Sequence, residues 1–257
     1  MPVVIGTSGW MYRDWRERFY PAGVTQKVWL EYYAQRFQTV ESNNAFYMLP
    51  KPETFAAWRR RTPEDFVMAV KVNRYVTHIR RLRDACAAVD RFMANARELG
   101  SKLGPVLVQL PPNLKADLPS LDEVLGRFGS DVRVAVEFRH DSWFCDEARA
   151  LLSEHGAALC LADRGSKPIA PLWRTTEWSY LRFHEGRASP RPCYGRVALR
   201  TWAARLAETW GAAADVYVFF NNDPRGCALR DARLFAREIR RAGLEPTRVP
   251  LEQVRVA

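Results

Sequence analysis

Glu41, Lys71, Gln109, Glu137, Arg139, Arg182 and His184 are polar or charged, yet each falls within or at the end of an apolar, strand-like run. The clearest case is "VRVAVEFRHDSWF" at 132–144, which runs into Glu137, Arg139, His140 and Asp141 and then meets Trp143 and Phe144. Alternate side chains of a strand face opposite ways, so parity sorts the run. Val134, Val136 and Phe138 form one set, and Ala135, Glu137 and Arg139 the other. The same division sets Tyr180, Arg182 and His184 against Leu181 and Phe183, and groups Glu41 with Asn43 and Lys71 with Ala69. Each strand keeps one apolar face, while the other turns polar toward its C-terminal end. A buried charge is costly unless paired or solvated, so strands that only filled a core would carry Val or Ile here. His140 falls on the apolar parity and is read as a loop or supporting residue.

Three chemistries fit these residue types. Glu137 and Glu41 could form a general acid–base pair, with Arg139 and Lys71 holding one ionised and an aromatic wall raising the other. Such a pair suits hydrolysis of a phosphodiester or glycosidic bond, or sugar isomerisation, with His184 as proton shuttle or as a support for a carboxylate. Metal-assisted chemistry is less well supplied, because none of the four histidines belongs to a His-x-His or His-Glu-x-x-His unit. No cofactor is required, and a single divalent ion held by carboxylates is the metal reading. The third chemistry is binding without turnover. Lys71, Arg139, Arg182 and Arg187 could hold phosphate, while Gln109, Asn43, Asn221 and Asn222 read sugar or base edges. Trp10, Tyr12 and Trp15 follow the first strand, Phe46 and Tyr47 the second, and Trp143 and Phe144 the fifth, as a stacking rim would. The runs "WRRR", "HIRRLR" and "REIRR" would extend a basic track for nucleic acid, or lie on solvated helix faces. "GTSGW" lacks the lysine of a phosphate-binding loop, and Gly6 and Gly9 are read as permitting a tight turn.

The elements that must position these residues alternate. Strand-like runs at 3–6, 39–43, 66–72, 106–110, 132–138, 158–162, 179–184 and 216–221 are separated by helical patterns at 25–37, 52–61, 82–100, 118–129, 145–155, 198–210 and 229–242. Eight such units in 257 residues predict an α/β fold, a TIM-type (β/α)8 barrel. The Pro-interrupted segment between Asp163 and Ser179 is too short for a full crossover helix, so the sixth helix is expected to be reduced or missing. One domain is expected over 1–243, followed by a tail at 244–257 with no assigned role. Barrel sites sit at the C-terminal ends of the strands, where the polar parity emerges.

Hydrophobic residues make up 47% of the chain, enough for a large core. The net charge of +10 favours anionic partners, either a small anionic or sugar-like ligand or nucleic acid. Cys86, Cys145, Cys160, Cys193 and Cys227 are scattered and odd in number, which predicts neither a disulfide framework nor a zinc ribbon. No apolar run reaches the roughly 18 residues of a membrane span, and no leader pattern follows Met1. The expected setting is a reduced cytoplasm, away from membranes. Nothing in the sequence fixes an oligomeric state.

Six blocks carry a resemblance: "IGTSGWMYRDWRERFYP", "TVESNNAFYMLP", "FVMAVKVNRYVTHIRRL", "GPVLVQLPPN", "VAVEFRHDSW" and "VYVFFNND". In this order they resemble domain-of-unknown-function family 72, the YecE-like family, over roughly residues 3–243. The resemblance implies a TIM-type barrel without implying a reaction. It brings Thr77, His78, Pro111 and Asp223 into the family blocks beside the mouth residues already named. Two departures stand out: Glu185 between His184 and Gly186, and Asp231 where the family tends to have Asn.

Overall fold

The computed structural model describes residues 2–252 and 256. Eight parallel strands make the expected barrel: β1 (Val3–Thr7), β2 (Thr39–Ser42), β3 (Val67–Lys71), β4 (Leu103–Gln109), β5 (Val134–Glu137), β6 (Ala158–Arg164), β8 (Ser179–Glu185) and β9 (Val216–Phe220). Their order is β1-β9-β8-β6-β5-β4-β3-β2, and the two-residue β7 (Lys167–Pro168) pairs antiparallel with β6. Seven helices of eight residues or more pack outside: α1 (Trp29–Arg36), α3 (Pro52–Arg60), α4 (Cys86–Ala96), α5 (Leu118–Leu125), α6 (Asp146–Glu154), α7 (Arg196–Trp210) and α8 (Cys227–Arg241). The short α2 (Asn44–Tyr47) lies in the loop after β2. Between β6 and β8 the described residues hold the β7 hairpin in place of a helix, as the prolines there foretold.

Local sequence explains the helix boundaries. In α4, Val89, Phe92, Met93 and Ala96 are buried at helical spacing. The following turn passes through Gly100 at φ 57, a conformation that favours glycine. Asp117 caps α5 by accepting from the Ser120 N–H, and proline occupies its first turn.

Strand parity separates two cores. One set, including Ile5, Val70, Val108, Val136, Leu161, Phe183 and Val218, packs beneath the helices. The other fills the barrel with Val4, Ala69, Leu107, Ala135, Ala158, Cys160, Tyr180, Tyr217 and Phe219. Small side chains on β3, β5 and β6 leave room for the rings of β8 and β9.

No strand ladder joins β1 to β2 among the described residues. The backbones still approach closely at this seam, where a Cβ on Gly6 would lie 2.4 Å from the Thr39 carbonyl oxygen. Gly6 is therefore needed for packing; the tight turn falls to Gly9, at φ 123. The Tyr33 hydroxyl bridges the gap, accepting from Thr7 N at 3.0 Å and donating to Thr39 O at 3.1 Å. The segment after α8 satisfies two further β1 amides: Val3 N donates to Glu245 O, and Ile5 N to Thr247 Oγ1. The N–H groups on the unladdered side of β1 are thus paired within the protein.

One expectation is overturned. Cys193 and Cys227, 34 residues apart in sequence, form a disulfide that ties the loop after β8 to the start of α8. Cysteine spacing could not reveal this, because the barrel topology alone brings the two segments together. Cys86, Cys145 and Cys160 are free. No helix among the described residues is long and apolar enough to cross a membrane.

Candidate functional site at the barrel mouth

The polar parity converges at the C-terminal end of the barrel. Glu137 ends β5 with no solvent exposure and accepts four hydrogen bonds. Its Oε1 takes Arg139 Nε and His184 Nε2, both at 3.0 Å. Its Oε2 takes Gln109 Nε2 at 2.7 Å and Arg182 Nη1 at 2.6 Å. Glu41, equally buried, takes Arg182 Nη2 at 2.8 Å and the Tyr180 hydroxyl at 2.6 Å. The Arg182 guanidinium thus spans both carboxylates across the barrel. Burial alone would raise the Glu137 pKa, but Arg182, His184 and Arg139 outweigh it and hold the carboxyl well below its ordinary range. Burial lowers the His184 pKa despite the neighbouring Glu137, favouring a neutral ring whose Nδ1 faces the Asn221 amide at 3.2 Å.

Above this network lies a cavity of about 360 Å³ lined by the loops after β1 and β2 together with Lys71, Gln109, Arg139, Arg182 and Asn221. Lys71 Nζ donates to Gln109 Oε1 at 2.7 Å and stands 3.8 Å from the centroid of the Phe46 ring. Burial, reinforced by Arg182, lowers its pKa to about 7; Glu137 and Glu41 oppose the shift without reversing it. His78 sits in a π-helical turn after β3, closed by Arg80 N donating to Tyr75 O at 2.8 Å. Its ring meets the Phe46 ring edge-on, and burial together with the Lys71 charge lowers its pKa to about 4. Asn43 donates to Ser8 O at 3.0 Å, while its Oδ1, Ser8 Oγ and Arg182 Nε have no protein partner.

The expected residues divide accordingly. Trp10, Tyr12, Asn43, Tyr47, Lys71, Gln109, Arg139, Arg182 and Asn221 line the cavity. Glu41, Glu137 and His184 lie beneath it, paired as described. Trp15 does not reach the mouth: it is fully buried, with Nε1 donating to Asp223 O and its ring packed against Phe19. Trp143 is likewise in the outer core, stacked on Phe138 and bonded to Leu114 O. Asn222 has the outward parity, donating to Asp231 Oδ2 and Pro192 O. Arg187 packs at Gly165 beside the β7 hairpin, away from the mouth cavity. Asp163 also faces outward, to Tyr194 and Trp202. His140 belongs to the loop, where it accepts from Ser142 N.

Sequence reasoning left Tyr180 unassigned although parity placed it below Arg182. Ser8, Met11 and Asn44 line the cavity through loop geometry that carries no sequence signature. Among the described residues no group of three or more His, Cys, Asp or Glu side chains is placed to hold a metal ion.

The family model described as "Protein of unknown function DUF72" matches residues 4–253. The chain belongs to the DUF72 family. It is 32% identical to the UPF0759 protein YecE of Escherichia coli K12 over 65% of this chain and 60% of that protein's length. UPF0759 protein YunF of Bacillus subtilis is 26% identical over 97% of this chain and 99% of that one. The crystal structure of a DUF72 family protein from Thermotoga maritima superposes with a TM-score of 0.81 at 28% identity, covering 93% of this chain and all of that one. A xylose isomerase-like TIM barrel in a fusion protein shares the fold at a TM-score of 0.52 and 13% identity, covering 90% of this chain and 44% of that one. The DUF72 match extends past residue 243, into the segment that pairs with β1.

Proposed function

We propose that this DUF72 barrel binds a small anionic or polyhydroxylated ligand, such as a sugar phosphate or nucleotide, in the cavity at its mouth. The observation that carries this reading is Arg182. It lines the cavity, its terminal nitrogens are fixed by the two buried carboxylates, and its Nε–H has no protein acceptor. An oxyanion in the cavity is drawn by the Arg182 charge beneath it, with Arg139 and Lys71 adding positive charge and Asn43 and Asn221 offering amides. Trp10, Tyr12, Phe46 and Tyr47 provide faces for a sugar or base.

Within this reading Glu137 organises charge and is not the proton donor. All the acceptor directions of Glu137 are filled, and a strongly depressed pKa makes a poor general acid. That weighs against hydrolysis through a Glu137–Glu41 pair and shifts any acid–base role to Lys71. Single-stranded nucleic acid is a second reading, favoured by Tyr47 and Tyr75, 73% and 46% exposed after β2 and β3, with Arg74 preceding Tyr75 in the chain.

One titration, followed by tryptophan fluorescence, tests both readings. Ribose 5-phosphate should bind at least about tenfold more tightly than ribose, with the difference lost in Arg139→Ala. Equal binding of the two sugars would remove the anionic ligand. A short single-stranded oligonucleotide that binds more tightly than ribose 5-phosphate, with a steep salt slope, would favour the second reading over the first.

A further inference from the structure

Lys71 differs from a lysine that is buried only to be paired. Its amine reaches the cavity wall, yet its one protein acceptor is Gln109 Oε1, and the Phe46 ring fills the space beside it. No carboxylate contacts it. Glu137 and Glu41 act on it through space, but each is already bonded to Arg182, which repels the Lys71 charge, as does Arg139. His78, from the turn after β3, completes the charged and titratable groups around it. We propose that Lys71 is a carbonyl-capturing amine, which forms an imine with an aldehyde or ketone whose anionic group is held by Arg182 and Arg139.

The step balances without an added oxidant or reductant. The Nζ lone pair attacks the carbonyl carbon, the carbonyl oxygen gains a proton, and the carbinolamine then loses water to leave the imine. One C=N bond replaces one C=O bond, and amine plus carbonyl gives imine plus water. The geometry supplies what this needs: an amine short of acceptors in a walled cavity, beside two guanidinium groups that orient an anion. With its pKa lowered to about 7, half of the amine is neutral at neutral pH. An ordinary exposed lysine is then almost wholly protonated. The proposal rests on the anionic-ligand reading and narrows its substrate to carbonyl compounds.

Glyoxylate with sodium cyanoborohydride is a suitable probe on the full chain, because it joins an aldehyde to a carboxylate. Reduction leaves a carboxymethyl group on the captured nitrogen, which peptide mass mapping locates. Lys71 should label at least about tenfold faster at pH 7 than Lys27, Lys51, Lys115 and Lys167, which serve as standards within the same chain. Inorganic phosphate should slow that labelling, and propionaldehyde, which lacks the anion, should label Lys71 more slowly than glyoxylate does. Labelling of Lys71 no faster than the standards would overturn the imine. Fluorescence titration with ribose 5-phosphate separates the two claims. Anion binding without selective labelling sinks the imine alone, and absence of both sinks the ligand reading with it.

Discussion

Lys71 and Lys102 are buried amines at opposite ends of the barrel wall, 7% and 3% exposed. Lys102 stands just before β4, at the N-terminal end of the strands, and donates to Arg59 O at 2.8 Å and Thr62 O at 2.7 Å. Glu64 lies 3.6 Å from the same nitrogen. Lys71 ends β3 at the mouth with one amide acceptor and an aromatic face. One ammonium is satisfied by the end of α3 and the turn after it, and so ties that corner to the wall. The other is desolvated and left short of partners. The same residue type is thus fully paired at the bottom of the barrel and left short of acceptors beside the cavity at the top.

That contrast breaks most severely if the mouth loses the charge that organises it. Arg182→Met leaves Glu41 and Glu137 buried without their shared guanidinium. Breaking a buried ion pair from one side costs about 3–5 kcal/mol, so the urea midpoint should fall steeply. A loss below about 1 kcal/mol would mean that water replaces the guanidinium, and the mouth would then be no more demanding than a surface pair.

Lys102→Met should destabilise by about 1–3 kcal/mol, because it removes the buried donor to Thr62 O and leaves Arg59 O only the Thr62 hydroxyl at 3.3 Å. Urea unfolding measures it directly. A neutral result would show that these carbonyls find other donors, and Lys102 would no longer stand for a structural lysine.

Much of this was readable in the sequence, and for one reason. Period-two patterning is a local property, so the strands, their apolar faces and the polar parity of Glu41, Lys71, Glu137, Arg182 and His184 all showed. What did not show depends on tertiary neighbours. Trp15 and Trp143 follow strands as rim aromatics would, yet each bends back into the outer core, where its indole N–H finds a backbone carbonyl. Asn222 neighbours Asn221 and faces the other way, to the Asp231 that departs from the family pattern. Parity separates that pair once β9 is seen to continue to its end. The saturation of Glu137 was hidden because it needs donors from three other positions in sequence, Gln109, Arg182 and His184, besides Arg139. Cys193 and Cys227 likewise meet only through the topology.

The subtlest difference between the two lysines lies in their pH dependence. The folded-state pKa of Lys71, about 7, is below that of an unfolded lysine near 10.4. Below pH 7 both states hold the proton, and the folded state bears the full penalty of burying the charge. Between about pH 7 and 10.4 the unfolded chain binds more protons, so this group makes stability rise with pH, and above that window its contribution is flat. Lys71→Met removes the rise. Relative to the variant, the parent should therefore gain stability as pH rises from 6 to 10, by up to about 4 kcal/mol. Asp223 and Asp231, raised by burial to about 8 and 7, make stability fall with rising pH from about 4 upward. They are present in both proteins, so their effect cancels in the difference. Urea unfolding of the pair at pH 6, 8 and 10 gives that difference. A parent more stable at pH 6, by an amount that does not change with pH, would make Lys71 a second Lys102 and erase the distinction between the two ends.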